Sequence, residues 1–562
     1  MLTFSFLFIS SLLLSVNSNP HVQIRQGTLK GSIQETWGGT TFLAFQSIPY
    51  AEPPVGNLRF QAPKPGKPWE GVLDATKTHV ACPQVAIFAY NITTPESEDC
   101  LFLNVYTPNT TDLLPVVAFI PGGGFMCDDA SIDLYGPLIL LDKNLVLVTI
   151  NYRLGAFGFL SLEDEVMPGN NGLKDQSLAL KWIKDNIRSF GGNPDKVTIF
   201  GNSAGGASVY FHILSPHSKG LFHAAISSSG IATSTWTLVK KGEANQQCKE
   251  LAHALKCPTS SSKEILECLQ AVNSSDITKQ IYKMIENYYE PRMIFKPVIE
   301  PKLLGAFITD HPVDIIKSGA FSQVPYIIGL TTDDGALISA KIYNDYKSVK
   351  KFNDDFENVV PPLLSYNTLA SRKMISRKIK KFYFQDRPID NDTKSDLTDM
   401  FTDAYFYYPQ RATIELHSRY SAQPLYFYIF GYRGSFTYLQ DYGDTSYDYG
   451  VVHCDDLIYL FSDEDLSDHN STETDLQMRR VMTTLIDNFA NTGNPTPHLN
   501  SLITNAWKPV KSDKFNYFSI MGPNEIKTKT TFHEERYNFW KMVPFLPELN
   551  STKDEISQQL FK

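Results

Sequence analysis

Past its first eighteen residues the 562-residue sequence has no second long apolar run, no internal repeat and no low-complexity tract. A bilayer span needs about 20 apolar residues, so stable membrane insertion is not expected of the remainder. Clustered positive charge is also lacking: the formal charge is −9, which argues against a nucleic-acid footprint. Cysteine is sparse, and none of the seven stands in a CxxC spacing. His-x-x-x-His is absent too, so no metal site is expected. With 42% apolar and 20% charged residues, the composition is globular rather than disordered.

What is present at the start is "MLTFSFLFISSLLLSVNS", an uncharged apolar stretch from Leu2 to Val16 closed by small residues. It is too short to span a bilayer and reads as a signal peptide over 1–18, leaving 19–562 as one secreted domain. Two features suit an oxidising compartment. N-x-Ser/Thr sequons occur at Asn91, Asn109, Asn273, Asn391, Asn470 and Asn550, each an expected glycosylation site. The intervals Cys82 to Cys100 and Cys257 to Cys268 make natural disulfide loops, although spacing alone leaves connectivity open. The odd count leaves at least one thiol among Cys127, Cys248 and Cys454.

Apolar runs alternate with helical patterns along the chain. "PVVAFI" (115–120), "LVLVTINYRL" (145–154), "KVTIFG" (196–201), "VPYIIGL" (324–330) and "PLYFYIFGY" (424–432) read as strands buried on both faces. Between the second and third, Leu173, Leu178, Leu180, Ile183 and Ile187 recur at helical spacing before Gly191 and Gly192. Strands separated by helices imply a mainly parallel α/β sheet. The charged stretch 373–396 reads as a solvated helix and loop.

"VTIFGNSAGGASVYF" then carries chemistry. A strand, G-x-S-x-G at Gly201 to Gly205 and a helix-compatible segment form the context of a nucleophile elbow around Ser203. A serine needs a base to take its proton and a carboxylate to orient that base. Of twelve histidines, His453 in "GVVHCDDLIYLF" follows a glycine and precedes an apolar helix-like segment. "YIIGLTTDDGAL" ends a buried strand in Asp333 and Asp334, and position alone leaves the acid between them. Gly122, Gly123 and Gly124 in "FIPGGGFMC" let main-chain N–H groups approach a substrate, and the N–H of Ala204 follows the nucleophile.

Taken in order, "SIPYAEPPVGNLRF", "SEDCLFLNVYTP", "GGGF", "NYRLGAFGFL", "GNNGLKDQ", "FGGNPDKVTIFGNSAGG" and "GVVHCDDLIYLF" make the chain resemble the type-B carboxylesterases, the carboxylesterase and cholinesterase family. The likeness extends to its secreted insect members of the venom carboxylesterase and juvenile hormone esterase-like kinds. The resemblance implies an α/β-hydrolase fold, a serine esterase and no cofactor. It implies Ser203 as nucleophile, His453 as base and Asp334 as acid. It also implies Gly123, Gly124 and Ala204 as the oxyanion hole, with disulfides Cys82–Cys100 and Cys257–Cys268.

Three departures stand out. Pro121 replaces the family's usual His or Tyr before the glycines, and Asn202 replaces the usual Glu before the serine. The Cys82 to Cys100 interval lacks the cholinesterases' Trp, with Phe88 or Tyr90 as possible aromatic replacements, which disfavours acetylcholine. The alternative function is a hydrolase-fold binding or adhesion protein without turnover. The substrate is expected to be a small apolar ester, its pockets lined near Trp236 and the 280s to 320s. Juvenile hormone, pheromone, xenobiotic and lipid esters are all compatible, and the oligomeric state is not encoded in any motif.

Overall fold

The computed structural model describes residues 19–549, except 78–79, 88–93, 287–292, 464–470, 512–513, 545 and 547–548. The expected signal peptide, Phe88, Tyr90 and the sequons at Asn91, Asn470 and Asn550 lie outside the described residues. Fourteen strands run in chain order: β1 (His21–Gln23), β2 (Thr28–Lys30), β3 (Ser32–Glu35), β4 (Thr41–Pro49), β5 (Val72–Asp74), β6 (Phe102–Thr107), β7 (Leu114–Ile120), β8 (Val146–Ile150), β9 (Gly192–Asn202), β10 (Ala224–Ser228), β11 (Tyr326–Thr331), β12 (Leu425–Phe430), β13 (Tyr517–Gly522) and β14 (Glu525–Lys529). β1, β2 and β5 form a small sheet. The other eleven make one sheet in the order β14-β13-β12-β11-β10-β9-β7-β8-β6-β4-β3. From β13 through β8 every neighbouring pair is parallel, and the strands at the two ends join antiparallel.

The centre of the sheet is parallel because its strands are apolar on both faces. β7, β8, β11 and β12 are buried at every residue. Side chains alternate between faces. On β7, Val116, Ala118 and Ile120 enter one core while Val117 and Phe119 enter the other. Helix Asn171–Asn186 packs on the first face through Leu173, Leu180 and Ile183. Helix Glu473–Thr492, whose first turn is capped by Thr472 and Asp475, covers the second through Met478, Val481, Leu485 and Phe489.

Three details differ from the sequence reading. The run at 145–154 leaves the sheet after Ile150, because Arg153 turns to pair with buried Asp175 at 2.6 Å. The stretch 373–396 is not simply solvated: helix Arg372–Phe384 buries Ile375, Ile379, Tyr383 and Phe384 on one side. No α-helix forms over residues 454–463, directly after His453. Cys454 has φ +70, and Asp455 turns inward to accept N–H bonds from Val452 and Tyr438, so the segment folds as turns ending in a 3-10 turn at Leu457–Tyr459.

Candidate active site

Parallel strands all end on one edge, and that edge gathers the chemistry-bearing residues. Ser203 follows β9, Gly122 to Gly124 follow β7, Ser229 follows β10, and Asp333 and Asp334 follow β11. Ser203 stands at φ +56, ψ −123, a backbone state few residues occupy, directly before helix Ala204–Leu214. Such a turn requires bare backbone on both sides. A Cβ on Gly201 would lie 2.3 Å from the carbonyl carbon of Gly205, and one on Gly205 would lie 2.0 Å from the Ile120 oxygen. Ser203 is only 7% exposed.

The loop bearing His453 is fastened to the end of β11 by Asp333. The Asp333 N–H donates to the Val451 carbonyl, and its carboxylate accepts the Val451 N–H, both at 3.0 Å. Gly450 permits this approach, at φ +88 with no room for a Cβ against Asp333. The neighbouring Asp334, fully buried, takes the imidazole: its Oδ1 lies 2.6 Å from His453 Nδ1. Its Oδ2 accepts from Ser229 Oγ at 2.9 Å and from the Thr331 N–H at 3.2 Å. Ser229 went unremarked in the sequence, although "SSSG" closing a strand was a signal that could have found it.

His453 is 2% exposed, and its Nε2 has no hydrogen-bond partner. Burial disfavours its imidazolium form, but the adjacent Cys454 sulfur and the Asp334 carboxylate outweigh burial and hold its pKa well above the ordinary value. Burial raises the Cys454 thiol as well. That sulfur is therefore uncharged near neutrality, and Asp334 sustains the shift. Phe406 packs on the imidazole with ring centroids 5.0 Å apart, from the π-helical stretch Thr402–Tyr407.

Asn202 is buried in a chain of hydrogen bonds. Its Oδ1 accepts from Cys454 Sγ at 3.0 Å and its Nδ2 donates to Ser228 Oγ at 3.2 Å. Ser228 in turn donates to Asp456 at 2.6 Å, which also accepts from Tyr428 OH at 2.7 Å. Pro121, lacking a side-chain donor, leaves the glycine loop to be held from elsewhere. Tyr152 OH donates to the carbonyls of Pro121 and Gly122 at 3.0 and 3.2 Å.

One cavity opens at this set and a second is lined by other segments. A small one of about 100 Å³ is lined by Gly122, Gly123, Asn202, Ser203, His453 and Cys454, and also by Asp128 and Tyr135. A wide one of about 690 Å³ is lined by Trp236, Met284, Met293, Leu363 and Tyr405, with Lys240, Lys241 and Lys296. A Cβ on Gly124 would meet Ile87 at 2.8 Å and Met293 at 2.9 Å, so the position needs glycine. Gly123 and Gly124 open a 3-10 turn and Ala204 opens a helix, positions whose N–H groups have no partner within the element. A serine on a strained turn, N–H donors at helix starts and an imidazole held by a buried carboxylate are the elements that nucleophilic acyl transfer needs. Among the described residues no group of histidine, cysteine and carboxylate side chains is arranged to hold a metal. No helix among them is long and apolar enough to cross a membrane.

Both disulfides, Cys82–Cys100 and Cys257–Cys268, are formed, while Cys127, Cys248 and Cys454 keep their thiols. Asn273 and Asn391 are exposed and Asn109 is partly exposed.

Residues 18–540 match the model of the carboxylesterase family. Venom carboxylesterase-6 of Apis mellifera is 36% identical over 535 residues, covering 94% of each chain. Juvenile hormone esterase of Tribolium castaneum is 36% identical over 549 residues, covering 94% of this chain and 93% of its own. Among solved structures, juvenile hormone esterase of Manduca sexta with OTFP covalently attached superposes with a TM-score of 0.84 at 27% identity. That match covers 93% of this chain and 99% of the relative.

Proposed function

The chain belongs to the carboxylesterase family and is a carboxylic ester hydrolase with the α/β-hydrolase fold, and from that premise we propose a secreted serine esterase working through an acyl-enzyme on Ser203. The observation that carries the reading is the 2.6 Å contact between His453 Nδ1 and Asp334 Oδ1, with Nε2 unpartnered in a cavity that Ser203 also lines. With the proton on Nδ1 donated to Asp334, the Nε2 lone pair takes the Ser203 proton as Oγ attacks the ester carbonyl. The N–H groups of Gly123, Gly124 and Ala204 stabilise the oxyanion. His453 then protonates the departing alcohol, activates a water, and the acyl group leaves as a carboxylate.

Residues 1–18 act as the signal peptide, 19–562 as one hydrolase domain, and the six sequons as glycan acceptors. Substrates are small apolar esters, a class in which juvenile hormone, named for two of the relatives, is a candidate. A fluorescent organophosphate should label one serine stoichiometrically, and peptide mapping should find it at Ser203. Label on another residue, or normal p-nitrophenyl ester hydrolysis by Ser203→Ala, would sink the reading.

A further inference from the structure

The small cavity has a feature that ester hydrolysis itself does not use. Asp128, Asp441 and Asp463 line it, and no lysine or arginine does among the described residues. It is also lined by His453, whose Nε2 is buried and unpartnered. Asp128 stands at φ +96, a region that glycine occupies freely and that asparagine and aspartate tolerate better than other side chains. Its backbone N–H donates to Gln84 Oε1 at 2.7 Å, and its carboxyl accepts from Tyr135 OH at 2.6 Å and from the Asp129 N–H at 2.8 Å. Those bonds occupy two of the roughly four lone-pair directions of a carboxylate. Asp128 is partly exposed, and it lines the cavity.

Proton transfer constrains where an ester sits. The departing alcohol oxygen must stand where the His453 proton reaches it. His453 and Ser203 both line the small cavity and neither lines the wide one, so the scissile bond stands at the small cavity, and the alcohol part is taken to occupy it. At about 100 Å³ it falls below the roughly 150 Å³ of a cavity that holds benzene, so that alcohol is short.

Resting on the serine-esterase reading, we propose that Asp128 is a substrate-binding residue that selects esters whose short alcohol part carries an N–H or O–H donor, the acyl part remaining apolar. Burial, with the nearby Asp129 and Asp463 carboxylates, raises the Asp128 pKa to about 7 against the opposing Tyr135 bond. Its acceptor strength therefore grows on the alkaline side. A bound donor satisfies the remaining lone pairs, and a cationic one also offsets the acidic lining.

Two isosteric pairs of butyrate esters test this with the full-length protein at pH 8: 2-hydroxyethyl against propyl, and 2-(dimethylamino)ethyl against 3-methylbutyl. The wild type should favour the donor-bearing member of at least one pair in kcat/KM by about tenfold, the scale of a hydrogen bond to a charged group. A response in the first pair alone identifies a neutral hydroxyl, and in the second alone a protonated amine. Asp128→Gly, which suits φ +96, should bring the favoured ratio to within about twofold of unity, whatever its absolute rates. If that variant does not fold, Asp128→Asn must reduce the ratio instead. A ratio unaltered in the folded variant, or a wild type favouring the apolar member of both pairs, overturns the proposal. Loss of preference is distinguishable from failure of the esterase reading, because only the latter leaves hydrolysis intact in Ser203→Ala.

Discussion

The small cavity at His453 and the wide one walled by Trp236 are built differently. The small one is formed by loops at strand ends whose side chains are locked in hydrogen bonds: Asp128 with Tyr135, Asn202 with Cys454, and Tyr442 OH with the His453 carbonyl at 2.8 Å. The wide one is assembled from segments far apart in the chain, near 235–250, 293–296 and 362–368 together with Met284, and its apolar wall includes Trp236, Met284, Met293 and Leu363. Met in particular adapts to varied shapes. Phe406 joins them, touching Trp236 at 6.2 Å and His453 at 5.0 Å. The contrast sets a narrow cavity of fixed, hydrogen-bonded side chains around Ser203 and His453 against a wide one whose apolar wall is mixed with charged residues such as Lys240, Lys241, Glu243 and Glu250.

The largest effect should ignore that contrast. Asp334→Asn keeps the shape but removes the charge that orients His453. It should cut kcat by about 10⁴-fold for every ester, as loss of the acid does in a serine triad. The pH profile adds a signature. His453 must be neutral to accept the Ser203 proton, and its pKa is raised, so wild-type kcat/KM should fall, as pH drops, at an apparent pKa above the ordinary histidine value. In Asp334→Asn the residual activity should lose its acid limb at lower pH than the wild type. A limb at the same position in both would show that another group titrates.

Next in size, Leu337→Trp should break the symmetry. Leu337 lines only the small cavity, so filling that space should lower kcat/KM for butyl relative to methyl esters by about 10- to 100-fold, the scale of misfit by a few methylenes. Acyl-length preference at constant methyl alcohol should hold steady. If acyl preference shifts and alcohol preference does not, the two parts of the substrate lie the other way round.

How much of this was visible beforehand follows the same contrast. The buried strands announced themselves as unbroken apolar runs, and Ser203 as a glycine-flanked serine between strand and helix, because those signals are local. Asp333 and Asp334 were indistinguishable by position. The family resemblance pointed to Asp334, and tertiary contact separates the two physically, one binding the Val451 backbone and the other the His453 ring. The helix expected after His453 fails for the same reason: "CDDLIYLF" has a helical apolar pattern, but Asp455 and Asp456 are drawn inward by partners some 17 and 28 residues away in sequence. Asp128 gave no signal at all in the sequence, since its importance lies in what surrounds it.

The smallest effect concerns Asn202, whose neutral side chain departs from the family's Glu. Its amide links Cys454 to Ser228, and Ser228 already donates its hydroxyl proton to Asp456. Asn202→Asp removes the Nδ2 donor and sets a second carboxylate against the same serine, which has no further proton to give. Burial already raises the Asp456 pKa, so the added charge is opposed by desolvation and by a like charge. The variant should lose about 1–3 kcal/mol of stability at pH 8, measured by urea denaturation, and recover part of it toward pH 5 as one carboxyl takes up a proton. The sign follows from linkage: a carboxyl with a raised folded pKa binds protons more readily when folded, so its destabilisation lessens as pH falls. Equal stability losses at the two pH values would mean that the network tolerates a charge at 202. Asn202 would then be a substitution without an electrostatic reason, and the small cavity's polarity would rest on Asp128 and its neighbours alone.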